Sequence, residues 1–122
     1  MKTILVAEDN DSNYILMTYI LRGHYEVIRA CDGQEAIDKV AEGGIDLVLM
    51  DVKMPVMDGL EATRHLKETN PDLPIIALTA NVFDSDRDAA IAAGCDDFLA
   101  KPVNSKLCLE VIGSHLAEAP AN

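Results

Sequence analysis

Glu8-Asp9, Asp51, Thr79-Ala80 and Lys101-Pro102 stand at matching places in the chain: each closes or follows a short apolar run and can be delivered to the end of a strand. Three carboxylates converging on one crevice repel one another, and a bound hard cation relieves that repulsion. Magnesium takes oxygen ligands, keeps several waters and is commonly held by one or two carboxylates together with substrate phosphate. Asp9 and Asp51 suit direct ligation, and Glu8 suits ligation directly or through water. Asp51 is the candidate nucleophile, because a carboxylate at the end of an apolar strand is costly to bury without a reason. Its attack on a phosphoryl donor gives an acyl phosphate. Such a transfer needs in-line positioning and neutralised equatorial oxygens, which the cation, the Lys101 ammonium, the Thr79 hydroxyl and the Ala80 amide can supply. Taken singly, an acidic pair after a strand is ordinary charge at a helix start, Thr79 an ordinary β-former and Lys101 an ordinary solvated cation. One such group after each of four strands is what makes them a set.

The elements that must position these groups alternate from end to end. TILVA (3–7), YEVIRA (25–30), DLVLM (46–50), IIALT (75–79) and DFLA (97–100) read as strands. The first, third and fourth are nearly continuous apolar runs, as expected of central parallel strands covered on both faces. Helical spacing lies between them. Ser12 to Arg22 carries Ile15, Leu16, Tyr19 and Ile20 and is closed by Gly23, while Asp32 and Glu35 form a capping-box pattern ahead of Ala36, Ile37 and Val40. Gly59 to Glu68 aligns Leu60, Thr63 and Leu66 before Asn70, Pro71 and Pro74. Asp84 or Ser85 opens a fourth helix that stops at Gly94, and Asn104 or Ser105 opens the last, with Leu107, Val111 and Ile112 inward. Five βα units with short connections predict an α/β fold, a doubly wound parallel sheet of order 2-1-3-4-5, with function at the carboxyl ends of the strands.

Composition bounds the rest. The chain of 122 residues is 49% hydrophobic, the size of one domain, here 1–122 with a core over about 3–117. A formal charge of −11 argues against direct nucleic-acid binding, which needs a basic stripe to neutralise phosphates. Cys31, Cys95 and Cys108 form no CxxC pair and no secreted-type framework, and no apolar stretch reaches membrane-spanning length. The expectation is a soluble, cytoplasmic protein without membrane insertion.

LVAEDN (5–10), LMDVKMPVMDG (49–59), LTAN (78–81) and AGCDDFLAKPV (93–103) together resemble the response-regulator receiver domain of two-component signalling, over residues 3 to about 117. The resemblance implies a flavodoxin-like (βα)5 fold and a phosphorylation-dependent signalling switch that acts on itself and is not a turnover enzyme. It implies Asp51 as phosphoacceptor and a Mg²⁺ site, with Mn²⁺ as a substitute, formed by Glu8, Asp9, Asp51 and the Lys53 backbone carbonyl. It further implies Thr79, Ala80 and Lys101 as phosphoryl-binding groups, Thr79 and Phe98 as the switch pair, and Lys53 and Asn81 as positions that tune phosphoryl lifetime. A cis Lys101-Pro102 bond also belongs to the pattern. Its implied partners are a sensor histidine kinase or a histidine phosphotransfer protein, with a dimer formed on phosphorylation. Glu8 stands where many relatives have aspartate, and Phe98 where tyrosine is frequent, which removes a phenolic hydroxyl from the switch. EDNxxN (8–13) and MPVMDG (54–59) lean toward receivers fused to hybrid sensor kinases over stand-alone ones.

Three rivals are weaker. An electron carrier binding flavin phosphate needs a loop of free amides after strand 1, and Glu8-Asp9-Asn10-Asp11 would repel that phosphate. A magnesium-dependent phosphatase with an aspartyl nucleophile usually has an acid two residues on, where this chain has Lys53. A degenerate receiver serving only as a protein-binding module would not need the full acidic, hydroxyl and lysine set. His24, His65 and His115 lack ligand spacing and read as surface or boundary residues, and Met54 and Met57 as loop packing.

Overall fold

Runs of β-forming residues too short for stable helices, the central ones apolar throughout, pair as strands, and the described residues do this five times. The computed structural model describes residues 1–80 and 84–116. Its elements are β1 (Thr3–Ala7), α1 (Asp11–Leu21), β2 (Glu26–Ala30), α2 (Gly33–Ala41), β3 (Leu47–Asp51), α3 (Gly59–Thr69), β4 (Ile75–Thr79), α4 (Asp84–Ala93), β5 (Asp97–Ala100) and α5 (Ser105–Leu116). The strands form one parallel sheet in the order β2-β1-β3-β4-β5, as the alternation predicts. Their carboxyl ends are aligned by register, Ala7 beside Met50, Asp51 beside Leu78 and Thr79 beside Ala100.

The sheet separates two apolar clusters. Ile4, Val6, Leu47, Leu49, Ile76 and Leu78 face Met17, Ile20 and Leu21 of α1 and Cys108 and Ile112 of α5. Leu5, Val48, Met50, Ile75 and Ala77 face Ala36 and Val40 of α2, Ala62 and Leu66 of α3 and Ala90 of α4. Every residue of β3 and β4 is buried, the signature of central strands covered on both faces. Met54 and Met57 pack against the second cluster, the role in loop packing expected of them.

Helix boundaries fall within a residue or two of the capping signals. The Asn10, Asp32, Asp58 and Asn104 side chains accept from the amides of Asn13, Glu35, Glu61 and Leu107, satisfying donors that a helix start leaves open. The expected capping box at α2 is displaced by one residue: the Glu35 carboxylate accepts from the Cys31 amide, not that of Asp32. Gly43 and Gly44 take φ of 90° and 88°, a left-handed conformation that ends α2 at little steric cost. The inward face of α1 differs from its apolar spacing. Met17, Ile20 and Leu21 are buried, whereas Ile15 and Tyr19 are 54% and 65% exposed. α1 is apolar around most of its circumference, and spacing alone does not choose which stripe is covered. In α5, Leu107 is likewise exposed and Cys108 takes the buried place.

Candidate functional site

Glu8 continues the β1 ladder by one bond, its amide donating to the Ala30 carbonyl at 2.9 Å, before the chain turns into α1. The turn is tight because Glu8 Oε2 accepts from the Asn10 amide at 3.3 Å while Asn10 caps α1. As a result Glu8 is buried, 1% exposed, and Asp9 is left exposed beside it. Asp51 is the final residue of β3, so its carboxylate emerges from a fully buried strand and is itself buried. Gly59 permits this. Its amide donates to the Val52 carbonyl, and a Cβ there would lie 2.1 Å from the Asp51 carbonyl oxygen, so only glycine lets α3 begin so close behind the end of β3.

Thr79 closes β4 and is buried. Lys101 follows β5, with its amide on the Thr79 carbonyl at 2.8 Å and its ammonium 3.1 Å from Glu8 Oε1 and 3.2 Å from Asp51 Oδ2. The Lys101-Pro102 peptide bond is cis. Asp51 Oδ1 accepts from the Lys53 amide at 3.3 Å, which draws the start of the β3–α3 loop to the carboxylate. These residues, with Asp9, Asn10, Asn13, Val52, Leu78 and Ala80, line one cleft of about 410 Å³ at the carboxyl ends of β1, β3, β4 and β5.

Its charges do not balance. One ammonium faces two buried carboxylates, with Asp9 a third acid at the rim. Glu8 Oε1, although at ion-pair distance from Lys101, makes no aligned hydrogen bond and is fully enclosed. Burial pushes the Asp51 carboxyl up to about 6, and the neighbouring Glu8 carboxylate pushes the same way, with Lys101 offsetting part of the rise. Burial works against the Lys101 ammonium, but Glu8 and Asp51 outweigh it and its pKa is raised. Glu8, Asp9 and Asp51 each offer an oxygen within 4.8 Å of the others, a hard-oxygen donor set with an unbonded buried oxygen, which fits a divalent cation such as Mg²⁺.

The sequence-predicted residues therefore meet in one place: Glu8, Asp9, Asp51, Lys53, Thr79, Ala80 and Lys101 all line the cleft. Phe98 does not. It is half-buried on β5, packed against the α2–α3–α4 cluster with the Arg87 guanidinium 5.9 Å from its ring centroid. Asn81 lies outside the described residues. Sequence reasoning passed over Arg29 and read His115 as a surface or boundary residue, which its intermediate burial matches, without its partner. His115 of α5 sits 3.0 Å from Asp97 Oδ2 across the strand that carries Phe98, a pairing no local spacing signals. Arg29 of β2 donates to the Glu8 carbonyl from Nε and Nη2, at 3.1 and 3.0 Å; its only trace in the sequence is a cation next to the end of the YEVIRA strand run.

A doubly wound sheet with an acidic, cation-ready cleft at its carboxyl edge, a buried strand-terminal aspartate and a lysine after the last strand defines a class of aspartate-centred signalling domains. Residues 4–112 match the family model of the response regulator receiver domain, and the chain belongs to that family. It is 35% identical over 121 residues to the polar-differentiation response regulator DivK of Brucella anthropi, covering 97% of this chain and 98% of that protein. It is also 35% identical over 125 residues to hybrid signal transduction histidine kinase I of Dictyostelium discoideum, covering 94% of this chain but spanning only 7% of that protein's length. Among solved structures, the receiver domain of a sensor histidine kinase from Pseudomonas aeruginosa, with a magnesium ion coordinated in its active site cleft, superposes with a TM-score of 0.89. It is 34% identical, covering 96% of this chain and 98% of that one. A receiver domain from Saccharomyces cerevisiae, crystallised with a histidine phosphotransfer protein, superposes at 0.90 with 30% identity, covering 99% of this chain and 93% of that one. The chain is thus a receiver domain of two-component signalling. Among the described residues, no helix is long and apolar enough to cross a membrane.

Proposed function

We propose that this domain is a cytoplasmic signalling switch that takes a phosphoryl group onto Asp51 from a phosphohistidine donor, a sensor histidine kinase or a histidine phosphotransfer protein. The observation that carries the reading is the uncompensated acidity of the cleft: two buried carboxylates and a rim aspartate share one ammonium, and Glu8 Oε1 is enclosed without a hydrogen bond. Such a site is unfavourable by itself and becomes favourable when positive charge arrives. Glu8, Asp9, Asp51 and the Lys53 carbonyl would hold Mg²⁺, which supplies charge neutralisation for the phosphoryl oxygens. A carboxylate oxygen of Asp51 forms the new bond to phosphorus as the bond to the donor imidazole nitrogen breaks, and the electron pair leaves with the imidazole. Lys101, already between Glu8 and Asp51, stabilises the transferred oxygens, with the Thr79 hydroxyl and the Ala80 amide completing the cradle. The domain thus promotes its own phosphorylation and dephosphorylation, and the side chains at Lys53 and Asn81 tune how long the group survives.

Output follows from the same oxygens. They draw in the Thr79 hydroxyl, and the vacated space admits Phe98, half-buried one strand away and without a hydroxyl to leave unsatisfied. This reshapes the α4–β5–α5 face, the surface for a partner or for a dimer formed on phosphorylation. The test is amide chemical shifts on adding beryllofluoride and Mg²⁺. Wild type responds at 51–53, 79–80 and 101 and onward over 97–115; Thr79→Ala keeps the cleft response and loses most of the rest; Asp51→Asn loses both. A full wild-type pattern in Asp51→Asn would overturn the assignment.

A further inference from the structure

We infer that Arg29 is a positioning residue for the metal site, acting through the backbone of Glu8; this rests on the cation site proposed above. β2 is one of the two edge strands of the sheet, and its last two residues fasten Glu8 at both ends of its backbone. The Ala30 carbonyl accepts from the Glu8 amide at 2.9 Å, and the Arg29 guanidinium donates twice to the Glu8 carbonyl, at 3.1 and 3.0 Å. The same guanidinium reaches Asp11 Oδ1 at 2.9 Å and lies 4.6 Å from the centroid of the Tyr14 ring. A planar fork held by its edge on two acceptors and by its face on a ring has little freedom left, and neither does the carbonyl it grips. That carbonyl belongs to the peptide joining Glu8 to Asp9, so its direction sets where both acids of the cation site point. Glu8 has no slack to absorb a shift, being enclosed between Lys101 and the Asn10 amide.

Charge and position predict opposite outcomes for Arg29, which makes its role decidable. As a nearby positive charge, Arg29 disfavours a cation, so removing it should tighten Mg²⁺ binding. As a support for the ligands, its removal should loosen binding, and outer supports of metal ligands typically carry about 10- to 100-fold in affinity. The position effect dominates, because the fork acts on the ligand backbone directly while its charge is already partnered by Asp11.

The experiment is calorimetric titration of the whole chain with Mg²⁺ alone, at fixed ionic strength. Arg29→Gln should bind roughly tenfold more weakly than wild type. Arg29→Lys, which keeps the charge and loses the fork, should also bind more weakly. Without metal, the amide resonances of Asp9 and Asn10 should move in Arg29→Gln while those of Lys67 and Asp96 stay in place. Equal or tighter Mg²⁺ binding by Arg29→Gln overturns the inference, as does wild-type affinity in Arg29→Lys; if Arg29→Gln fails to fold, Arg29→Lys decides. Absence of Mg²⁺ binding by wild type would instead remove the cation site itself, a separate and recognisable result.

Discussion

At the amino ends of β4 and β5, Lys67 donates to Asp96 Oδ2 and to the Leu73 carbonyl, each at 2.7 Å, and to the Pro71 carbonyl at 3.4 Å. Asp96 Oδ2 also accepts from the Ile75 amide. At the carboxyl ends, Lys101 faces Glu8 and Asp51 at 3.1 and 3.2 Å, and a buried carboxylate oxygen goes unbonded. The two lysine side chains are almost equally covered, 17% and 19% exposed, so burial does not separate them. Satisfaction does. The first cluster matches donors to acceptors and one cation to one anion, and ties α3 to the strand starts; the second has more negative charge than it can neutralise. A polar cluster that is complete serves the fold, and one that is incomplete is waiting for something.

The sharpest way to break this contrast uses the glycine that lies behind each cluster. A Cβ on Gly59 would meet the backbone oxygen of Asp51 at 2.1 Å, whereas one on Gly94 would meet the flexible stem of Lys67, at 2.9 Å, and the cost there comes chiefly from a φ of 111° that disfavours any side chain. Gly59→Ala should lose about 3 kcal/mol or more and displace the end of β3, read by chemical denaturation and by loss of the beryllofluoride response. Next in size is Lys67→Met, which should lose about 2 kcal/mol by leaving the Leu73 carbonyl and Asp96 without their cation. Mg²⁺ affinity in that variant should match wild type; a weakened response would show that the two ends are coupled.

The third effect has the opposite sign. Burial and Glu8 raise Asp51 from 3.8 to about 6, so folding favours its protonated form. Its contribution to metal-free stability is greatest below the unfolded value and is lost as pH rises through about 6. In EDTA above pH 7, Asp51→Asn should therefore be more stable than wild type, by on the order of 1 to 2 kcal/mol, with a flatter melting curve against pH between 4 and 7. Equal stability at every pH would mean that Asp51 is not strained in the metal-free cleft.

Much of this contrast is legible in the chain, because strand ends are marked by abrupt polarity changes. Asp51 after LVLM and Lys101 after DFLA declare themselves, and parallel topology then brings them together without any further information. Capping residues are legible for the same reason: their chemistry is local. What the chain conceals is set by packing between distant elements. Ile15, Leu16 and Tyr19 share helical spacing as good as that of Met17, Ile20 and Leu21, and only docking on β1 and α5 decides which stripe is covered. Nothing in the sequence marks Glu8 and Asp9 for different burial, yet one is enclosed and the other exposed, because the turn into α1 directs them oppositely. Arg29 and Lys67 look like ordinary surface cations until the sheet places one on Glu8 and the other on Asp96.

The most direct test of the account asks where the phosphoryl group goes. The protein is incubated with acetyl phosphate and Mg²⁺, the acyl phosphate is reduced with borohydride, which converts a phosphorylated aspartate to homoserine, and the product is mapped by peptide mass spectrometry. The account predicts a single converted residue at Asp51, with Asp9 and Glu8 unmodified and no conversion when Mg²⁺ is withheld. Conversion at Asp9, a stable phosphate on His24, His65 or His115, or undiminished labelling of Asp51→Asn would contradict it.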